Sequence, residues 1–438
     1  MTLPRETAPE SAPLEPPQIP TQTDVAVVGV GAAGLFAANW AGRAQATAGR
    51  PPSVIGIDGA RKLGAKIIVS GGGRCNVTHW RVDERDFAGS TSPAIRKVLG
   101  RFTVEQTIAF FTSSGVAFYR EADTGKLFPE SDSARSILDA LLREAGAAGV
   151  ALLHPAKVTL IERDGDRFRL DTTAGSLIAR KVILCTGGKS LPKSGSDGSG
   201  FALATMLGHS ITAPVVPALV PLVLPADHFI RALTGLALPC RFTLLSPKGK
   251  PLATSMGSTL CTHTGLSGPA TLDISRYWLV SRDTDPGARL LLDWLPEIPE
   301  AHVEQMLLEN GAKGAISVLR KHLTERLAQH LCAAAAAPPT GDLPREARRR
   351  LVAAVKGLEL PVVGDRGFTI AEATAGGVPL AEVRLDTMES RICPGLHFAG
   401  EVLDVDGRIG GFNFQWAWAS GHVAGSSAAR ALLASPAG

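Results

Sequence analysis

Residues 25–34 read Val-Ala-Val-Val-Gly-Val-Gly-Ala-Ala-Gly, an apolar run that ends in regularly spaced glycines. A short unbroken apolar run predicts a strand covered on both faces, and a helix should open near Ala32. Gly29, Gly31 and Gly34 then make a GxGxxG turn. The first glycine allows the tight bend, the second lets a pyrophosphate approach the backbone, and the third lets helix and strand pack closely. Unpaired N–H groups and the positive dipole end of the helix would face the phosphates. A second strand, SVIGID (53–58), ends in Asp58, placed to accept hydrogen bonds from an adenosine ribose. The spacing to Asp58 is long, and the stretch GRAQATAGRPP (42–52) is expected to absorb it as an extended surface loop. A glycine-rich turn with no ligand is the alternative, and the strand–helix–strand–acid order argues against it. The motif serves FAD and NAD alike.

Three further segments point to a flavin. Ser70–Asn76 reads SGGGRCN, and three consecutive glycines make a poor helix or strand but a good backbone wall against a ligand. Here Gly71, Gly72 and Gly73 are the wall, and Arg74 and Asn76 can bond phosphate or ribityl oxygens. Cys75 has no resolving cysteine nearby, so a packing role is expected rather than a redox one. Residues 181–188 (KVILCTGG) read as a buried strand delivering Thr186, Gly187 and Gly188 to a cofactor. Near the end of the chain a strand carries Glu401 to a position where it could bond ribityl hydroxyls. Gly410 and Gly411 then start a helix over about 415–425, whose positive end can favour an anionic reduced flavin. The aromatics around it (Phe412, Phe414, Trp416, Trp418) are read mainly as core.

Composition narrows the class. A chain of 438 residues suggests two or three domains, and 45% hydrophobic with 20% charged residues is a globular balance. A net charge of +4 is too small to argue for nucleic acid by itself. The six cysteines are scattered without CxxC or metal-type spacing, which fits free thiols in a reducing cytoplasm and no metal site. The most apolar stretch, 213–226, is broken by four prolines, so no membrane span is expected. Residues 1–21 are rich in proline and polar residues and are expected to be a disordered tail rather than a signal peptide.

Along the chain, 22–212 reads as a strand–helix domain. Its helices are expected over about 93–114 and 131–148, with Ser131 or Ser133 as N-cap, and a hairpin turns at Asp164-Gly165. Prolines then punctuate short apolar runs over 213–300, as in a small β-barrel or sandwich inserted into the first domain. Residues 301–358 look helical apart from an Ala/Pro linker near 333–341. The run Arg348-Arg349-Arg350 within them reads as a solvated helix face. From 359 to 438 the glycine-rich, strand-like texture of the first domain returns.

Taken together, SGGGRCNVT, CTGGKSLPKSGSDGSGFALATMLGH, THTGLSGPATLDIS, EATAGGV and TMESRICPGLHFAGEVLDVDGRIGGFNFQWAWASG closely resemble the aminoacetone-oxidase/BaiN-like group of FAD-binding proteins. The resemblance runs in order from about Asp24 to Gly425. It implies an α/β fold, a Rossmann-like FAD-binding domain (three-layer ββα) with an inserted β-barrel domain and a helical subdomain. It also implies FAD contacts at Gly29, Gly31, Gly34, Asp58, the Gly71–Asn76 loop, Thr186–Gly188, Glu401 and Gly410, Gly411, Phe412 and Asn413. Ala33, Val158, Gly400 and Asp406 complete the expected set of cofactor neighbours. Departures are few: Cys185 stands where the group usually has Ala, Thr374–Gly377 reads TAGG rather than TSGG, and Phe412 replaces a common Tyr. Members act on substrates from amino ketones to steroid-like enones and, in some relatives, uridine in ribosomal RNA, so fold analogy does not choose among them.

The expected chemistry is hydride transfer at flavin N5, with substrate entering between the two domains. The glycines of 195–200 follow a loop and not a strand, so no second nucleotide domain is expected and any NAD(P)H must bind transiently. His263, in THTGLSGP (262–269), is a candidate acid or base, although a lone histidine more often holds structure. Three activities stay open: reduction of a small molecule or activated C=C bond, O2-dependent amine oxidation, and modification of RNA through the Arg348–Arg350 helix.

Overall fold

The computed structural model describes residues 20–309, 314–338 and 343–434. All but the last two residues of the expected tail lie outside them, as does part of the expected Ala/Pro linker. The run at 25–34 forms β1 (Gln22–Val28) and the start of α1 (Ala32–Thr47), and β2 (Val54–Ile57) follows. Val25–Val28 and all of β2 are buried, as strands covered on both faces require. They lie at the centre of a parallel sheet in the order 396–398, 175–184, β1, β2, 150–153. The strand Gly175–Leu184 begins in an antiparallel meander with Val158–Asp164 and Arg167–Thr172, turned at Gly165 as expected. This is the Rossmann-like α/β arrangement.

The stretch 42–52 departs from expectation. Its first half continues α1 to Thr47, and only the residues after it form a loop. The buried Gln45 explains this: its Oε1 accepts from Ser53 N at 2.7 Å and its Nε2 donates to Asp24 Oδ2 at 3.2 Å. Arg43 also pairs with Glu144 on the helix Ala134–Ala147, which Ser133 caps. The added length is thus tied down as helix, not left as loop.

The last helix, Phe412–Ala434, lies along α1. Small residues make this close approach possible. A Cβ at Gly421 would lie 2.8 Å from Ala33 O, and one at Gly425 would run into Ala37 O. Overpacking such a contact costs about 1–3 kcal/mol. α1 and this last helix are therefore one packed layer.

The chain leaves this unit through Val216–Ala218 and returns through Ala373–Ala375, and these two segments pair antiparallel. Between them lies a seven-stranded antiparallel sheet, ordered 358–359, 289–293, 237–245, 251–262, 265–267, 222–223, 364–365. Leu360 N bonds Leu290 O and Val363 N bonds Val223 O, so residues 360–363 step directly from one edge of the sheet to the other. A link that short, about 14 Å at most, means the sheet is rolled. Residues 359–365, expected in the returning first domain, belong to this sheet. The helices Glu300–Glu309, Ala315–Leu319, Glu325–Ala334 and Arg345–Lys356 share its apolar core, with Leu307, Leu331 and Val355 clustered with Phe242, Leu290 and Trp294. Among the described residues, no helix is long and apolar enough to cross a membrane.

Candidate functional site

The three glycines of the first turn differ in what surrounds them. Gly29 has φ +90°, and a Cβ there would stand 2.6 Å from Cys185 O and 2.8 Å from Thr186 Cα. At Gly34 a Cβ would run into Gly29 O. Both are packing glycines. Gly31 differs, because a Cβ there would meet nothing within 4 Å. It precedes α1, whose first turn has neither a side-chain cap nor an acidic residue. The first N–H groups of α1 thus have no side-chain cap beside that open space, the setting in which a helix start binds a phosphate. Asp58 stands beside it: Oδ2 accepts from Val30 N at 2.6 Å and Oδ1 from Ala60 N at 2.7 Å. Each oxygen keeps a lone pair for a ribose hydroxyl. Ala33 is buried beneath Gly400, where a Cβ would lie 2.7 Å from its own. Val158 opens the strand that follows Ala156, whose N–H bonds Asp58 O at 2.7 Å, and its side chain is buried.

The strand Gly175–Leu184 delivers Thr186–Gly188 next to this turn. A Cβ at Gly188 would collide with Thr374 Oγ1 and lie 3.0 Å from Glu401 Oε1. Thr374 Oγ1 accepts from Lys189 N and Ser190 N at 2.8 and 3.1 Å, which fixes the loop. Thr186 Oγ1 is buried without a partner. Glu401 is held from two sides, by Lys66 Nζ on Oε2 at 2.5 Å and by Ser190 Oγ on Oε1 at 3.0 Å. Lys66, Ser190 and Thr374 did not emerge as site residues from sequence. Gly400 spends its backbone on packing, with N–H to Ser420 Oγ at 2.9 Å and C=O from Trp416 Nε1 at 3.2 Å.

In the glycine wall, Gly71, Gly72, Gly73 and Cys75 all have positive φ (55°, 67°, 89° and 60°). A side chain at Gly72 would again meet open space. Asn76 Oδ1 is buried and unpartnered, 2.8 Å from where a Cβ at Gly411 would sit. Arg74 is engaged by protein, stacked on Phe128 at 4.1 Å and bonded to Tyr119 Oη at 3.3 Å. The Cys75 thiol is fully buried and pushed up to about 12 by burial, so it is no nucleophile. Phe412 is buried and stacks on His79 at 4.9 Å, and Gly410 lies against its ring. Asn413 clamps Gly407, bonding its N–H at 2.8 Å and its C=O at 2.9 Å. At this helix start only the main chain is left to face a ligand.

The second unit reaches across through the helix Pro269–Thr284. Asp273 Oδ1 accepts from Ile409 N at 2.7 Å. Arg276 Nε lies 2.9 Å from Asp406 Oδ2, a charge pair by distance whose N–H is not aligned for a hydrogen bond. Asp406 is buried, its Oδ1 has no partner, and burial raises its carboxyl to about 6 against the pull of Arg276. Burial likewise raises Asp273 to about 6. Glu372 keeps an exposed surface, but the protein packed around its carboxyl raises it, while Lys126 and Lys66 pull it down. His263 sits on an exposed hairpin turn, its carbonyl held by Arg231 Nε at 2.6 Å, and makes no hydrogen bond to these groups. The arginine run is largely occupied: Arg348 meets Glu304 at 3.4 Å and Arg350 donates to Ala335 O at 2.9 Å.

These residues fit an FAD. Open space lies beyond Gly31 and Gly72, the Thr186 and Asn76 oxygens are buried without partners, and the helices starting at Ala32 and Phe412 have no acidic residue in their first turn.

Residues 23–427 match the model of the HI0933-like protein Rossmann domain family. The chain is 33% identical over 402 residues to a ribosomal RNA dihydrouridine synthase of Escherichia coli (strain K12), covering 91% of this chain and 96% of that one. It is also 33% identical over 421 residues to a 3-dehydro-bile acid delta(4,6)-reductase of Clostridium scindens, covering 92% and 98%. Among solved structures it resembles 3-ketosteroid delta1-dehydrogenase from Sterolibacterium denitrificans. That match has a TM-score of 0.50 and 13% identity over 94% of this chain and 100% of the other, a likeness of fold.

Proposed function

The chain belongs to the HI0933-like Rossmann-domain family of FAD-dependent oxidoreductases, and from that premise we propose that it reduces a carbon–carbon double bond conjugated to a carbonyl group. The carrying observation is the Asp273–Ile409 contact, which sets a carboxyl of the second unit against the loop preceding Gly410 and Gly411. Such a reduction needs a hydride on one carbon and a proton on the next, and the carboxyl at this contact is a group that can give the proton. The names of both relatives support the same class, since dihydrouridine formation and delta(4,6)-reduction each saturate a C=C bond conjugated to C=O.

When bound, FAD would supply hydride chemistry at N5 of its ring, with a nicotinamide as the source of the electrons. The protein's part is to hold and orient. Gly31 and the first turn of α1 take the pyrophosphate, Asp58 the adenosine ribose, and Glu401, fixed by Lys66 and Ser190, the ribityl hydroxyls. Asn76 Oδ1, Thr186 and the 410–413 main chain complete the grip on the ring end. With no second nucleotide fold in the sequence, NAD(P)H binds transiently. The six buried, unpaired cysteines support a reducing, cytoplasmic setting. The internal bonding of Arg348 and Arg350 favours a small molecule over RNA phosphates at that helix.

Anaerobic stopped-flow tests the proposal. NADPH or NADH should bleach the flavin, and a 3-oxo-Δ4 steroid or a uridine-containing RNA should restore its colour with formation of the saturated product. Reoxidation by air alone, with peroxide from an aminoketone and no reduced C=C product, would replace this reading with an oxidase.

A further inference from the structure

We propose that Asp273 is the proton donor to the carbon α to the substrate carbonyl. This rests on the conjugated-alkene reading above. The hydride, carrying two electrons that come from the nicotinamide donor by way of FAD, forms the new C–H bond at the β carbon. The π pair of the alkene then takes the proton of the Asp273 carboxyl to form the α C–H bond. Asp273 is left as a carboxylate and recovers its proton from solvent.

Four observations support the assignment. Asp273 sits on the helix Pro269–Thr284, whose Ala270 and Ile274 are anchored in the core of the rolled sheet, so its backbone is fixed. Its Oδ1 is held by Ile409 N at 2.7 Å, directly before Gly410 and Gly411. Its Oδ2 accepts no hydrogen bond among the described residues and is free to carry the proton. Finally, its surroundings raise its affinity for a proton. The groups facing it are Arg408 beside Ile409, Lys126 from the 126–129 strand, Glu372 from the returning segment and Tyr277 on its own helix. Burial outweighs the two cations and raises the carboxyl to about 6. Glu372 is the competing acid, but its side chain has no comparable anchor. Its main-chain oxygen takes Ser190 Oγ at 3.3 Å, and its N–H bonds Leu219 O at 3.2 Å.

The test compares the wild-type holoenzyme with Asp273→Asn and Glu372→Gln. Asparagine keeps an oxygen for Ile409 N, so the fold and FAD content should hold, and bleaching by NADPH should stay within about twofold. Reoxidation by the conjugated substrate should slow by about 100-fold or more. Wild-type reoxidation should fall as pH rises through about 6, where the carboxyl loses its proton, and Asp273→Asn should lose that limb. In D2O the wild type should place deuterium at the α carbon. Independently of turnover, an infrared difference spectrum between pH 5 and pH 8 should contain a protonated-carboxyl band that Asp273→Asn lacks. An Asp273→Asn enzyme with normal reoxidation and an unchanged pH limb would overturn the assignment, as would loss of α protonation in Glu372→Gln alone. A wild type that bleaches but reduces no conjugated C=C bond would overturn the reading beneath it.

Discussion

Lys66 and Glu401 lie 335 positions apart in sequence, and their side chains meet at 2.5 Å, Nζ to Oε2, with Ser190 bonded to both. The contact joins the helix after β2 to the turn before the last helix, so the two distant parts of the first unit fix one carboxylate between them. A charge-assisted bond of this kind, partly shielded, is worth about 1.5–3 kcal/mol. Lys66→Met should therefore release Glu401 and weaken FAD about tenfold or more. Flavin retained after dialysis, measured by absorbance, checks it, and unchanged retention would count against Glu401 as a cofactor residue.

Gly31 and Gly34 should fail in different ways. Gly31→Val adds a side chain to open space at an ordinary φ of −83°, so the fold should survive while the phosphate site is filled. Gly34→Val drives its Cβ into Gly29 O and should lower stability by several times the roughly 1 kcal/mol of an ordinary substitution. Thermal melts of the apoproteins, beside flavin content, separate the two. A yellow, fully loaded Gly31→Val protein would contradict the placement of the pyrophosphate.

Asp406 should leave a pH signature on stability. Its folded carboxyl is raised to about 6, above the value near 4 of an unfolded aspartate. The folded state therefore binds the extra proton. The stability this gives is fully present below about pH 4 and is lost as pH rises through about 6. Asp406→Asn should cost up to about 3 kcal/mol less at pH 8 than at pH 4. Denaturant melts across that range measure the difference, and a gap that widens with rising pH would reverse the sign.

Cys75 should be inert. Its thiol is buried and pushed up to about 12, so almost no thiolate exists at pH 8. Native protein treated with iodoacetamide should show no alkylation of Cys75 by mass spectrometry until it is unfolded. Cys75→Ala should keep its flavin and its activity. Rapid native labelling would reopen a redox role.

Sequence exposed the parts of this molecule that depend on local pattern. The strand and turn at 25–34, the three-glycine wall, the Asp164-Gly165 hairpin and the Ser133-capped helix each follow from residues close together in the chain. What stayed hidden depends on partners far apart. Lys66 lies in the plain stretch KLGAK and gains meaning only from Glu401. Thr374 matters through amides of residues 189 and 190, and Asp273 through Ile409 N. The extension of α1 to Thr47 was hidden for the same reason: Gln45 is helical because Asp24 and Ser53 take its amide. Asn413 and Arg74 carry the expected residue types, yet their side chains are spent on Gly407 and on Phe128 and Tyr119. A motif gives the residue, and only the fold shows which of its atoms remain available.

The visible spectrum of the purified full-length protein, with the released chromophore identified by mass, is the most direct check on the central claim that both chain ends hold one dinucleotide. One FAD per chain, with the two-banded absorption of an oxidised flavin, is the expected result. A folded protein that emerges colourless and takes up no FAD on reconstitution would contradict it.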